Sequence, residues 1–335
     1  MLRNMAITLP PPLDEHSDLL NSVAEEFRQE FAELTTNAEQ SLAGKNFIFN
    51  RYGKEQYPYF AGRTNATEVP GCIISIKKGR LVASVDSTCI LIGETSEGAL
   101  YAARVGAGIS SKGSLRRFIR LGPIFVYMTS KGVSGLRTDF SSMERSALLF
   151  DHAIAERVIR NTVERKVIQT LLSTERELIV MADGSLKHPM GWFTGNLSGK
   201  TDSGISLVGF SKSSSLIFSE SASSAVSNAV TPAYYVLDDG PVKTVLAKFS
   251  PDGLVFRLDL AQSSEAVETV LGRILGNDAF SAGYPESLKV AHHLSVFTRA
   301  EIAALKACVT KRFRLRELPT FNLRRIALGT FNGGS

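Results

Sequence analysis

The order of its predicted elements places this chain in the α/β class, with a mixed sheet flanked by helices and an N-terminal helical appendage. Three observations carry that assignment. β-rich segments between Cys72 and Thr129, separated by turn residues, are followed by a helical block over residues 142–173. A short apolar run, Leu178 to Met181, then enters Ala182-Asp183-Gly184-Ser185, so a buried strand ends on a carboxylate and a glycine turn, the place where α/β sheets usually build sites. An earlier strand, Leu81 to Val85, runs into a second aspartate in Asp86-Ser87-Thr88.

Taken in order, Pro10-Pro11-Pro12 excludes helix interior near the N-terminus. Over about residues 14–43, Leu19, Leu20, Val23, Phe27, Phe31 and Leu34 recur at helical spacing with acids between them. Residues 46–70, rich in Gly, Pro, Asn and aromatics, read as an irregular connector. Residues 1–70 therefore form a helical extension and 71–335 a single core domain. Segments 72–76, 81–93, 99–107 and 125–129 read as strands, the last three as an antiparallel meander. The helical block at 142–173 divides in two, and the strand at 178–183 follows. Residues 191–206 read as a loop, 205–209 as a strand and 213–229 as a helix plus loop. Three short strands at 233–237, 244–249 and 254–260 come next. Helices are expected over 265–275, over 284–297 with Pro285 in its first turn, and over 301–312. No repeat of fixed period appears.

The composition is that of an ordinary globular protein: 335 residues, 44% hydrophobic and 21% charged, with ample length for a large core. The net charge of +5 is compatible with a polyanionic partner without requiring one. Cys72, Cys89 and Cys308 are scattered with no CxxC, which indicates neither a zinc site nor a disulfide framework and fits a reducing cytoplasm. No apolar run reaches membrane-spanning length, and the proline- and acid-containing N-terminus is a poor signal peptide. A cytoplasmic protein without a membrane partner is expected.

Either aspartate alone would serve as a turn residue. The helical block changes that reading. Glu164 precedes Val167, Ile168 and Leu171 by three, four and seven residues, spacings that share one helix face. A carboxylate on an apolar face needs a partner, and a divalent metal is one; pairing with Arg157, Arg160 or Lys166 on a solvated rim is the bland alternative. Glu144 and Glu156 are the alternative helix glutamates. Near the end, Leu288, His292 and Val296 are spaced i, i+4, i+8. A histidine on such a stripe is usually a core residue when it stands alone.

Together these residues follow the plan of ribonuclease H-like nucleases. An aspartate lies on the first meander strand, a glutamate on the next helix, an aspartate at the end of the next strand, and a last ligand on a C-terminal helix. Two divalent ions roughly 3.5–4 Å apart need several hard carboxylate oxygens in one place. The sequence resembles the NurA nucleases, partners of the HerA hexameric ATPase. Asp86-Ser87-Thr88 stands at the family's first DGS motif, with serine where glycine is usual after the aspartate, a change expected to reshape the turn there. Asp183-Gly184-Ser185 matches the second DGS-like motif, and Glu164 lies about five helical turns before it. The strand ending Gly209-Phe210-Ser211-Lys212 resembles the family's Gly-x-x-Lys segment, and Phe256-Arg257-Leu258-Asp259 its late Phe-Arg-x-Asp strand. Gly283-Tyr284-Pro285 with Leu288, Ala291 and His292 matches its C-terminal helix, except that Glu286 and Ser287 replace the usual aromatic and proline.

The resemblance implies hydrolysis of DNA, on single strands and duplex ends, by a homodimer docked on a HerA-type hexameric ATPase. The setting would be end resection in double-strand-break repair, or phage defence. It implies Mn2+ or Mg2+ as cofactor, two ions per site, held by Asp86, Glu164, Asp183 and His292. Lys212 would neutralise the scissile phosphate or orient the water, and His292 would bind the second ion or protonate the leaving oxygen. Arg116, Arg117 and Tyr284 are candidate DNA contacts. The first two sit in Ser111 to Arg120, a basic stretch read as a loop and strand start; a second basic stretch, Lys311 to Arg316, alternates charge with Phe and Leu. Two rival readings remain. One is a catalytically weak or inactive partner of the ATPase, motivated by Ser87. The other is an actin-like ATPase or sugar kinase, for which the adenosine loop and second phosphate hairpin are not apparent.

Overall fold

A computed structural model of the protein describes residues 17–49, 72–73, 75–77, 81–130, 142–174, 178–187, 206–211, 225–261 and 265–317. The expectations for Pro10-Pro11-Pro12, for the 191–205 loop and for Lys212 lie outside these residues. Helix α1 (Ser17–Leu42) and strand β1 (Asn46–Phe49) precede β2 (Cys72–Ile73) and the meander of β3 (Leu81–Glu94), β4 (Gly98–Ser111) and β5 (Ser114–Thr129). Helices α2 (Ser142–Phe150) and α3 (His152–Thr174) lead to β6 (Leu178–Asp183) and β7 (Ser206–Ser211). The remainder is β8 (Ala233–Asp238), β9 (Val242–Lys248), β10 (Val255–Ala261), α4 (Val267–Asn277), β11 (Phe280–Ser281), β12 (Tyr284–Pro285), α5 (Glu286–Ser295), α6 (Arg299–Arg312) and β13 (Arg316–Glu317). None of the described helices is long and apolar enough to cross a membrane.

One mixed sheet runs β13-β1-β3-β6-β7-β10-β9-β8-β2, with β4 on the other edge of β3 and β5 beyond it. The meander is antiparallel, β6 lies parallel to β3, and β7 lies parallel to β6. The result is a large mixed sheet flanked by helices. Alternation along β3 explains the layering: Ala83 and Val85 pack with Ile159, Val163 and Val167 of α3, whereas Val82 packs with Ile179, Met181 and the α4 residues Val270, Leu271 and Ile274. Both faces of the sheet are covered there, so β6 is a continuous apolar run rather than an alternating one. Leu178 to Met181 are fully buried, each side chain contributing about 1.5–3 kcal/mol relative to exposure.

The structure departs from expectation in three places. The connector over 46–70 begins with a strand: Phe47 and Phe49 point to one side into a core shared with Leu42 and Phe313, and β1 pairs with both β3 and β13. The basic stretch after Ser111 is mostly strand, because Lys112 and Gly113 form a two-residue hairpin turn with φ of 53° and 76°, the positive angles such turns require. The helix expected from Tyr284 starts at Glu286, since Tyr284 and Pro285 pair with β11. The apolar stripe of the N-terminal helix packs on the chain's own core, the commoner use of such a stripe: Val23, Phe27 and Phe31 belong to the same buried cluster as Ile119, Leu121 and Ile124 of β5.

Helix α5 lies directly on β4, and Gly106 makes that possible. A Cβ added at Gly106 would stand 2.1 Å from the Ala291 carbonyl oxygen and 2.8 Å from the Leu294 Cβ. Gly106 is the register partner of Asp86, so the closest approach of this helix falls beside that aspartate. We expect Gly106→Ala to push α5 off the sheet and cost roughly 1–3 kcal/mol, the range for an overpacked core. A lowered urea midpoint measures the loss, and an unchanged midpoint would contradict the close seating.

Candidate functional site

Strand register brings the two aspartates together. The last β3–β6 pair is Val85 with Ala182. Asp86 and Asp183 are the next residues of adjacent parallel strands, which lie about 4.8 Å apart. Here β6 ends, whereas β3 continues for eight more residues to Glu94. Both carboxylates face α5, where His292 meets them: its Nδ1 is 2.7 Å from Asp86 Oδ2 and 3.8 Å from Asp183 Oδ2. The ligand atoms of Asp86, Asp183 and His292 all lie within 4.8 Å of one another. Among the described residues this is the group of three or more His, Cys, Asp or Glu side chains that converges closely enough to hold a metal ion.

The seat of α5 fixes His292. Ser295, one turn on, donates to Asp86 Oδ2 at 3.1 Å. At the other end of the helix, the buried Asp278 carboxylate accepts from Ser287 Oγ at 2.5 Å, Ser110 Oγ at 2.8 Å and the Ala279 amide at 2.9 Å. Ser287 Oγ also lies 2.5 Å from Ser84 Oγ of β3. Burial raises the proton affinity of Asp278 and these donors lower it, the net being a rise. Ser287 thus ties α5 to β3, β4 and the end of α4.

Helix α3 brings Glu164 from the opposite face of the sheet. The spacing argument holds, for Glu164 is 5% exposed and its neighbours Val163, Val167 and Ile168 are buried. Its carboxylate accepts from the Ser87 hydroxyl, which also contacts the Arg160 carbonyl at 3.4 Å. The expected turn after Asp86 is absent because β3 runs straight through Ser87, whose side chain points to α3 as that of Asp86 points to α5. Burial raises the Glu164 pKa to about 8; Arg160 and the Ser87 bond oppose that shift, and the charges of Asp86 and Asp183 add to it. The alternative glutamate, Glu156, accepts from the Leu91 backbone amide at 2.7 Å on the same open edge of β3, a structural use. For Glu144 no side-chain placement is described.

The chain leaves Asp183 through Gly184, whose φ is +115° and whose amide donates to the Phe210 carbonyl at 2.9 Å. That angle is one side chains rarely adopt, so a glycine must follow the aspartate. Ser185 and the Leu186 amide then donate to Asp259 Oδ2 at 2.5 and 3.1 Å. Asp259 is fully buried and also accepts from Thr244 at 2.9 Å and from Arg257, whose Nη2 is 2.9 Å away. The Phe-Arg-x-Asp strand therefore anchors the loop that follows the second aspartate. Tyr284 is half-buried against Phe210 and Phe256, and burial, then the charges of Asp183 and Asp86, push its phenol well up, so it stays neutral.

Arg116 is exposed and Arg117 half-buried on β5, opposite Ile109 rather than beside the acids. In the second basic stretch Phe313 and Leu315 are buried, Lys311, Arg314 and Arg316 are solvated, and Arg312 pairs with Glu39 at 2.6 Å. Sequence reasoning missed Ser87, Ser287, Ser295 and Asp259 as holding residues. Asp259 and Ser287 stood inside quoted motifs, but nothing local named their partners.

The Glu164 shift makes stability depend on pH. An unfolded glutamate ionises near 4.5 and the folded one near 8, so between those values the native state holds the extra proton. Its contribution to stability is fully present below pH 4.5 and is lost as pH rises toward 8. Without divalent cations, Glu164→Gln is expected to gain stability relative to the wild type between pH 5 and 8. Urea midpoints at both pH values measure this, and parallel pH profiles would contradict the buried carboxylate.

No protein-family model matches the sequence, and no curated protein matches it. Solved structures do. The NurA nuclease from Sulfolobus solfataricus aligns over 89% of this chain and 95% of its own, at 11% identity and a TM-score of 0.47. Another NurA crystal structure aligns over 89% and 99%, at 9% identity and a TM-score of 0.38. An endonuclease V from Bacillus subtilis aligns over 71% and 88%, at 11% identity and a TM-score of 0.31.

Proposed function

We propose that the protein is a metal-dependent deoxyribonuclease that hydrolyses phosphodiester bonds of single-stranded DNA and duplex ends. The observation that carries this reading is the convergence of Asp86, Asp183 and His292 within 4.8 Å where β6 stops, with Glu164 buried on the α3 side of the sheet, where it feels the charges of Asp86 and Asp183. The donor set fits a hard divalent cation: carboxylate oxygens suit Mg2+ and Mn2+, and an imidazole nitrogen is better accepted by Mn2+. Asp86, Asp183 and His292 would hold an ion; Glu164, the fourth expected ligand, stands outside that group, on the α3 side of the sheet and engaged by Ser87. Such ions supply an acidified water and neutralise charge on the leaving oxygen.

The remaining work falls to the protein's own residues. Asp86 is oriented by the Ser87 amide at 2.7 Å on one oxygen and by Ser295 on the other. Asp183 is held at the strand end by the Gly184 amide on the Phe210 carbonyl and by Ser185 and the Leu186 amide on Asp259. Tyr284 stays a neutral group against Asp183. Ser87, which motivated the inactive reading, binds Glu164 and so supports a built site rather than a lost one. We further propose that the protein works in the cytoplasm as a homodimer with a HerA-type hexameric ATPase, in DNA end resection or phage defence, and that Lys212, Arg116 and Arg117 contact DNA.

Labelled single-stranded and blunt duplex DNA with Mn2+ tests the reading. The wild type is expected to degrade both, and Asp183→Ala to lose roughly a thousandfold in rate, the scale for removing a main charge-stabilising group. Chelation should abolish cleavage, and a HerA-type ATPase should stimulate it. Equal degradation by wild type and Asp183→Ala would refute the assignment.

A further inference from the structure

We infer that Arg160 is a phosphodiester-binding subsite, the contact that draws the nucleic-acid backbone onto the Asp86–Asp183–His292 group. The inference rests on the nuclease reading above and extends it to a residue so far described only as a neighbour of Glu164. Arg160 lies one helical turn before Glu164, and its carbonyl receives the Ser87 hydroxyl at 3.4 Å. This turn of α3 is therefore seated beside the strand residue that follows Asp86. The side chain is exposed. Its charge is felt by both Glu164 and Glu156, whose proton affinities it lowers.

Neither carboxylate takes Arg160 as a hydrogen-bond partner among the described residues. Glu164 is engaged by Ser87 and Glu156 by the Leu91 amide. Several other cations of the domain are committed: Arg104 and Arg120 to Glu301, Arg257 to Asp259, and Lys187 to Asp238. Among the described residues the Arg160 guanidinium has no ion pair or hydrogen bond, and the residue is exposed near Glu164 and Glu156, acids that repel a polyanion. A planar guanidinium is the side chain best matched to two phosphate oxygens. On this chain it offsets the repulsion from the side away from α5, so a DNA strand crossing the end of β6 would lie between His292 and Arg160.

The test uses the full chain with labelled single-stranded and duplex DNA. Binding is followed at rising salt in the Asp183→Ala background, with and without Arg160→Ala. Loss of Arg160 is expected to weaken binding roughly tenfold to a hundredfold, the value of one charge-assisted pair, and to reduce the salt slope by about one. Arg160→Lys should restore the slope and only part of the affinity. With Asp183 restored, Arg160→Ala should lower kcat/KM chiefly through KM. Mn2+ binding without DNA and the thermal midpoint should stay at wild-type values. Wild-type affinity and slope in Arg160→Ala would overturn the subsite, as would a parallel loss of Mn2+ affinity, which would make Arg160 a partner of the carboxylates. A protein that binds DNA through Arg160 but never cuts it would sink the nuclease reading and leave the subsite standing. A protein that binds no DNA would sink both.

Discussion

The arrangement depends on an interruption along one edge of β3. On its other edge β4 pairs with β3 along its length, but here β6 pairs only as far as Val85 and β1 begins only at Gly93. Backbone groups between them would be stranded in the interior without partners, a cost of about 1–3 kcal/mol each. Helix α3 covers the gap with polar groups rather than apolar ones: Glu156 takes the Leu91 amide, and Glu164 and the Arg160 carbonyl take the Ser87 hydroxyl. A site made of carboxylates is thus placed where the sheet has a vacancy for polar groups.

The two-residue period of the strand then divides the work. Asp86 looks to α5 and Ser87 to α3, so consecutive residues recruit helices from opposite faces of the sheet. His292 and Ser295 reach the aspartates from one side, Glu164 from the other. Such division lets three acids approach one place without stacking on a single surface, where their mutual repulsion would be hardest to offset. It also explains why the helix glutamate is so deeply buried while the histidine side chain remains 41% exposed.

Much of this was legible in the sequence because it rests on local periodicity. The meander, the buried β6 run and the apolar face carrying Glu164 follow from spacings of two, three and four residues, and Asp183 was marked by the glycine that must follow it. What was not legible is long-range. Ser87 and Glu164 are 77 residues apart, and Ser185 and Asp259 are 74; nothing near either partner announces the other. Ser87 even pointed the wrong way, since a missing glycine suggested a damaged turn where the structure has an uninterrupted strand. β1 was hidden for a different reason: its aromatics sit beside a Gly- and Asn-rich segment that reads as irregular.

The network around Asp278 has a mechanical meaning. Sliding α5 by one turn, about 5.4 Å, would withdraw Ser287 from Asp278 and Ser84 together and leave a buried carboxyl short of donors. On the other wall, Asp259 holds the chain leaving Asp183 just as firmly. With both walls locked by saturated buried networks, the acid group has its geometry before any ligand arrives. Recognition then resembles a fixed mould more than a closing hand, and selectivity must come from what can thread the open edge.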